Sequence, residues 1–163
     1  MPGVALIVGS GPGISASCAR LFAKQGMRVG VAARDPEKPV LKELEAGHGV
    51  RRYACDAAEP ASVERLFQDV VRDLGAPTLV VHNIDGRVPG IFRKAITDAD
   101  PGMAFETLRN AAFSAFLVGQ QAIETLPLNG RNFTDLALLQ PGVVAYPSRD
   151  GGSVVAHGLG MCV

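Results

Sequence analysis

The 163 residues suffice for one domain that buries about two thirds of its unfolded surface, and sixteen basic side chains balance sixteen acidic ones. That balance excludes the broad positive field that draws proteins to phosphate backbones and anionic membranes, so neither nucleic acid nor a membrane is expected as a partner. Hydrophobic residues at 47% exclude a disordered chain, and Cys18, Cys55 and Cys162 match neither a disulfide framework nor a paired-cysteine zinc site, which points to a cytoplasmic location.

Val4–Val8 is a short apolar run that ends in Gly9-Ser10-Gly11-Pro12-Gly13, and Ile14, Cys18, Leu21 and Phe22 then recur at helical spacing up to a stop at Gly26. Arg28–Ala33 predicts a second strand. Asp35-Pro36 reads as the cap and first-turn proline of a second helix, placed over Pro39–Ala46. Val50–Ala54 predicts strand three. After Pro60, the positions Val63, Leu66, Phe67, Val70, Val71 and Leu74 form a helical apolar face closed by Gly75-Ala76-Pro77. Thr78–His82 is a fourth strand with almost no alternation, as suits a strand covered on both faces. Asp100-Pro101 then opens a helix in which Phe105, Leu108, Ala112 and Phe116 hold one face.

Four alternations of strand and helix predict an α/β fold with a doubly wound parallel sheet and right-handed crossovers. From about Gly119 the pattern stops: the last 45 residues hold five charged side chains, no lysine and seven glycines. The expected division is therefore a domain over residues 1–118 and a tail over 119–163, with a fifth strand available at 153–157 beside Thr78–His82. The N-terminus lacks a basic region and its apolar run is broken by glycines and Pro12, so no signal peptide is expected.

The glycine turn between strand one and helix one is where a diphosphate can meet free backbone N–H groups at the positive end of a helix. Gly9, Ser10, Gly11, Gly13 and Ile14 are accordingly candidate binding residues. His48, His82 and His157 lie on separate segments without zinc or nucleophile spacing, so no metal site and no nucleophile are assigned. His82, at the end of a strand, reads as a satisfied strand-end histidine.

Val8-Gly9-Ser10-Gly11-Pro12-Gly13-Ile14 resembles the Gly-x-x-x-Gly-Ile-Gly signature of the short-chain dehydrogenase/reductase family, and the likeness extends over roughly residues 3–117. The resemblance implies a Rossmann-like fold and a nicotinamide dinucleotide as cofactor. Asp56, in Tyr53-Ala54-Cys55-Asp56, stands where the family's third-strand aspartate faces the adenine, and Asn83 is what remains of the family's Asn-Asn-Ala-Gly motif. Ala33 occupies the place of the acid that selects NAD, and Arg34 follows it with a donor fork suited to a 2′-phosphate, so NADP(H) is favoured over NAD(H). Ser15 replaces the signature's last glycine and is expected to crowd the helix near the pyrophosphate. The family's fourth-helix asparagine aligns with Ala111. Asn110 stands one position early, rotated about 100° round a regular helix, and is not assigned a proton-relay role.

The family's Tyr-x-x-x-Lys is absent: Tyr53 and Tyr146 are followed four residues later by Ala57 and Asp150, and no lysine follows Lys94. No catalytic residue is therefore assigned. The run from Ile123 to Val143, with Leu126-Pro127-Leu128-Asn129-Gly130-Arg131-Asn132-Phe133 at its centre, is similar to the start of the plug domain in Oar-like TonB-dependent receptors. Two resemblances meeting near Gly119 imply a fusion or a rearranged reading frame. The expected function is an NADP(H)-binding domain of oxidoreductase type, catalytically impaired; the alternative is a noncatalytic remnant or interaction domain from a gene fusion.

Overall fold

The computed structural model of the protein describes residues 3–91, 93–125, 144–145 and 161–162. Strand β1 (Val4–Val8) leads into α1 (Ile14–Lys24), β2 (Arg28–Ala33) into α2 (Pro39–His48), and β3 (Arg51–Ala54) into α3 (Pro60–Leu74). Strand β4 (Leu79–His82) is followed by a short 3-10 turn at Ile96–Asp98 and then by α4 (Pro101–Leu108), a π-helical turn (Arg109–Phe113) and α5 (Ser114–Thr125). The two-residue strands β5 (Val144–Ala145) and β6 (Met161–Cys162) pair antiparallel with each other. The chain divides into two units, Met1–Pro127 and Leu128–Val163.

The four main strands form one parallel sheet in the order β3-β2-β1-β4. Strand β1 is buried along its whole length, because it lies inside the sheet and helices cover both faces. The period-two pleat sends Val4, Leu6 and Val8 to one face and Ala5 and Ile7 to the other. On the first face they meet Val63, Leu66, Phe67 and Val70 of α3 and Leu117 and Val118 of α5. On the second they meet Ala16 and Ala19 of α1 and Leu41 and Leu44 of α2. This is the expected doubly wound architecture with four strands. The expected fifth strand at 153–157 lies outside the described residues.

Two local expectations change. Asp35 does not cap a helix begun by Pro36: α2 starts at Pro39 with Lys38 as its N-cap, and Asp35 Oδ1 accepts a hydrogen bond from the Glu37 N–H at 2.9 Å. A short carboxylate bonding its own backbone two residues on makes a turn, and that turn ends the β2 loop. The face expected from Phe105, Leu108, Ala112 and Phe116 is not the packed one either. Phe105, Leu108 and Phe116 are 67%, 62% and 63% exposed, whereas Ser114, Leu117, Val118 and Ala122 are buried. The π-turn between α4 and α5 interrupts the 3.6-residue period, so no single stripe runs the length of this segment.

Helix α5 also crosses Gly119 without a break, so the composition shift there is not an element boundary. Truncating a buried side chain should separate sharply from truncating an exposed one. Phe67→Ala, at a position 1% exposed, is expected to lower unfolding free energy by about 3–5 kcal/mol, and Phe105→Ala to change it by less than about 0.5 kcal/mol. Urea unfolding followed by circular dichroism measures both, and equal losses would contradict the packing described here.

Candidate functional site

Strand β1 ends between β2 and β4, and a cleft of about 540 Å³ opens at the carboxyl ends of these three strands. In a parallel sheet, neighbouring strands that send their helices to opposite faces part at this edge, which leaves room for a ligand. The cleft is bordered by the glycine turn, by Arg34 and Lys38 after β2, by Cys55 to Ala58 after β3, and by Asn83, Ile84, Asp85 and Arg87 after β4. Asn110 of the π-turn completes it. All eight sequence-predicted residues, Gly9, Ser10, Gly11, Gly13, Ile14, Arg34, Asp56 and Asn83, lie on its wall.

Gly9 has φ +90°, and a Cβ on it would stand 2.4 Å from the Asn83 carbonyl oxygen. Glycine is required there by both conformation and space. Gly11 and Gly13 differ: a Cβ on either would meet nothing within 4 Å. Their backbone borders open cleft. Gly13 is the N-cap of α1 and supplies no side chain to the first turn, which also contains no acid. The orphan N–H groups at the start of α1 are thus available to an anion in the cleft.

Ser10 faces the cleft with its donors engaged: Oγ donates to the Ile7 carbonyl at 3.1 Å and N–H to the Ala32 carbonyl at 3.0 Å. Asp56 Oδ1 accepts from the Ala58 N–H at 3.0 Å, which fixes the turn after β3. Ser15, expected to crowd the turn, is instead 1% exposed and joins two walls. Its hydroxyl donates to the Gly9 carbonyl at 3.0 Å and accepts from Asn83 Nδ2 at 2.9 Å. The hydroxyl supplies a buried link that a glycine would lack, a role visible only once β4 is seen beside α1.

The charges in the cleft are uneven. After β2, Arg34 and Lys38 have no ion-pair partner among the described residues, because nearby Glu37 is engaged by Lys42 at 3.0 Å and Arg52 at 2.9 Å. After β4, Arg87 donates to both carboxylate oxygens of Asp85 at 2.7 Å, and this pairing holds the Asp85 pKa down at about 2. Lys38, Asp85, Arg87 and Asn110 were not among the sequence candidates. Lys38 sits one helical turn beyond Arg34 in sequence, which was the available signal; the Asp85–Arg87 pair belongs to a loop without periodicity.

Two further groups point away from acid–base work. Burial, followed by the Asp73 charge, pushes the Tyr53 phenol up to about 12, and its Oη donates to Asp73 Oδ2 at 3.4 Å. Burial likewise raises the Cys55 thiol. His82, at the end of β4, contacts the buried Ser114 hydroxyl through Nε2 at 2.9 Å, and burial lowers its pKa. Among the described residues, no three His, Cys, Asp or Glu side chains gather as a metal site, and no helix is long and apolar enough to cross a membrane.

Comparison with known proteins identifies relatives of this arrangement. Residues 8–140 match the family described as enoyl-(acyl carrier protein) reductase. An uncharacterized oxidoreductase of Thermotoga maritima is 36% identical over 83 residues, which are 49% of this chain and 32% of that protein. The 3-oxoacyl-(acyl-carrier-protein) reductase of Mus musculus is 28% identical over 159 residues, 94% of this chain and 66% of that protein. Among solved structures, a variant of actinorhodin polyketide ketoreductase with NADPH is 30% identical with a TM-score of 0.67, covering 76% of this chain and 47% of that one. The chain thus spans about half the length of the solved structure and less of the Thermotoga protein.

These matches overturn the expected change of family at Gly119. The family match continues through residue 140, the mouse reductase aligns over nearly the whole chain, and α5 is unbroken there. The likeness to a TonB-dependent receptor plug, and the fusion drawn from it, are withdrawn.

The lowered His82 pKa has a signed consequence. The unfolded chain binds the histidine proton at higher pH than the folded one, so stability is present above the ordinary histidine range near pH 6.5 and is lost as pH falls through it to the folded pKa. Between about pH 7.5 and 5.5, the urea midpoint of the wild type should fall more than that of His82→Gln. Equal falls would show that the half-buried imidazole does not titrate with folding.

Proposed function

The chain belongs to the short-chain dehydrogenase/reductase family, and we propose that its cleft binds a nicotinamide dinucleotide, with NADP(H) preferred to NAD(H). The observation that carries this reading is the wall after β2, where Ala33, Arg34 and Lys38 line the cleft with no carboxylate among them. An acid at that point would bond a ribose 2′-hydroxyl, whereas two cations without an ion-pair partner among the described residues suit a 2′-phosphate. Lys38 extends the expectation drawn from Arg34 alone.

The residues present fit such a ligand. Gly11 and Gly13 leave backbone open to a pyrophosphate at the start of α1, and the Ser15 hydroxyl holds the turn against Asn83. Gly9, Ser10 and Ile14 form the floor and flank of that turn, while Asp56 lies toward the adenosine side with Oδ2 open to accept. Bound NADP(H) would supply hydride chemistry. Within these 163 residues no Tyr-x-x-x-Lys is present to move the accompanying proton, and Tyr53 is shifted away from proton exchange. The reading is therefore a cofactor-binding domain of oxidoreductase type that is catalytically impaired as this chain stands. Free Cys18 and Cys55 agree with a reducing, cytoplasmic setting.

Calorimetric titration with NADPH and NADH tests it. NADPH is expected to bind more tightly, Arg34→Ala to weaken NADPH by about tenfold with little effect on NADH, and Gly13→Asp to weaken both by placing a carboxylate in the phosphate turn. A folded wild type that binds neither cofactor would end the proposal, and equal affinities would end the NADP(H) preference.

A further inference from the structure

Arg52 belongs to β3, the edge strand beside β2, and is not on the cleft wall. Its side chain is nevertheless only 19% exposed, because the guanidinium spans three acceptors. Nε and Nη2 meet Glu45 Oε2 of α2 at 2.8 and 2.7 Å. Nη1 donates at 2.9 Å both to the Pro36 carbonyl and to Glu37 Oε1. One planar fork thus ties β3, α2 and the loop between β2 and α2, a span that a point charge such as a lysine ammonium does not match.

That loop carries the two cations assigned to the 2′-phosphate. Arg34 directly follows β2, Lys38 is the N-cap of α2, and Glu37 stands between them in the chain. The backbone around Glu37 is held on both sides: Arg52 bonds the Pro36 carbonyl, and Asp35 Oδ1 accepts from the Glu37 N–H at 2.9 Å. Arg34 and Lys38 line the cleft, whereas Glu37 does not. Its two carboxylate oxygens are shared out, Oε1 to Arg52 and Oε2 to Lys42 Nζ at 3.0 Å.

This division matters because a carboxylate within reach of Arg34 and Lys38 would compete with a phosphate for the same donors. The Glu37 side chain is 63% exposed, so packing does not keep it from turning toward them; its ion pairs do. The pair with Lys42, itself 55% exposed, is of the solvated kind that holds a side chain weakly. Arg52 is the restrained partner, fixed by Glu45 and the Pro36 carbonyl before it meets Glu37.

We propose that Arg52 is a positioning residue for cofactor selectivity: it draws Glu37 away from the cleft and so keeps Arg34 and Lys38 open to a 2′-phosphate. This inference rests on the cofactor reading above. It makes the preference for NADP(H) depend on an arginine of the neighbouring strand that touches no ligand.

Calorimetry on the full chain with NADPH and NADH tests this as a double-mutant cycle. Arg52→Gln is expected to weaken NADPH by about five- to tenfold and to change NADH by less than about twofold. With Glu37→Gln already in place, the same Arg52→Gln step should change NADPH affinity by less than about twofold, because no carboxylate is then released. Unaltered NADPH affinity in Arg52→Gln overturns the inference. Equal weakening of both cofactors also overturns it, since Arg52 would then act on the fold. A loss of NADPH affinity that persists in the Glu37→Gln background does the same, since the arginine would then act through its own charge. If circular dichroism shows that Arg52→Gln does not fold, Arg52→Lys decides by the same comparison, its single ammonium being unable to span Glu45, Pro36 and Glu37 together. A wild type that binds NADPH no tighter than NADH overturns the preference itself and this inference with it, a result read before any variant is made.

Discussion

Where β1 runs out, Gly9 turns with positive φ against the carbonyl of Asn83, at a distance no side chain would survive. Three strands converge on this point: the Gly9 N–H donates to the Ala32 carbonyl at 3.0 Å, and the Asn83 N–H donates to the Val8 carbonyl at 2.8 Å. The Ser15 hydroxyl then bonds the Gly9 carbonyl and receives the Asn83 amide. A larger residue at Gly9 would push β4 from β1 and misplace Asn83, Asp85 and the π-turn behind them. The cleft exists because its two walls can touch at one glycine and separate above it.

The strands and first three helices were legible because their signals are local and repeated. Val4–Val8 is uniformly apolar and lies inside the sheet, and Val63, Leu66, Phe67, Val70 and Leu74 keep the helical period of α3. The glycine turn was legible for the same reason, since its residues are adjacent in the chain. Asp35 misled because an aspartate before a proline is equally a helix cap and a turn former, and the choice depends on where the next helix can pack. Asn110 lies within the π-turn, so its direction does not follow from a regular 100° per residue. The π-turn is braced by the buried Ser114 and, from the end of β4 and the loop after it, by His82 and by Gly86 close against Ala111. Ser15 likewise has meaning only beside Asn83, 68 residues later.

The shift near Gly119 shows how composition and structure can diverge. The residues after it are poor in charge and rich in glycine, yet Gly119 lies inside α5, whose buried side chains Leu117, Val118 and Ala122 straddle it and pack on the same face of the sheet. Burial against β1 and α3 needs only an apolar stripe, so a helix can end its charged pattern without ending its packing. A resemblance resting on one short run carried no information about that stripe. The family match across residues 8–140 integrates over both.

Electrostatics divides the cleft into unlike halves. At the β4 side the cation comes with its own carboxylate, since Arg87 holds Asp85 in a two-point contact, and the pair presents little net charge. At the β2 side the carboxylates are drawn off: Asp35 closes its turn, and Glu37 faces Lys42 and Arg52. Arg34 and Lys38 are left as a local positive site on a chain whose formal net charge is zero. In the proposed cofactor reading, the anionic end of the ligand meets this local positive site, which exists because the carboxylates beside it are engaged elsewhere, and an overall charge count could not have revealed it.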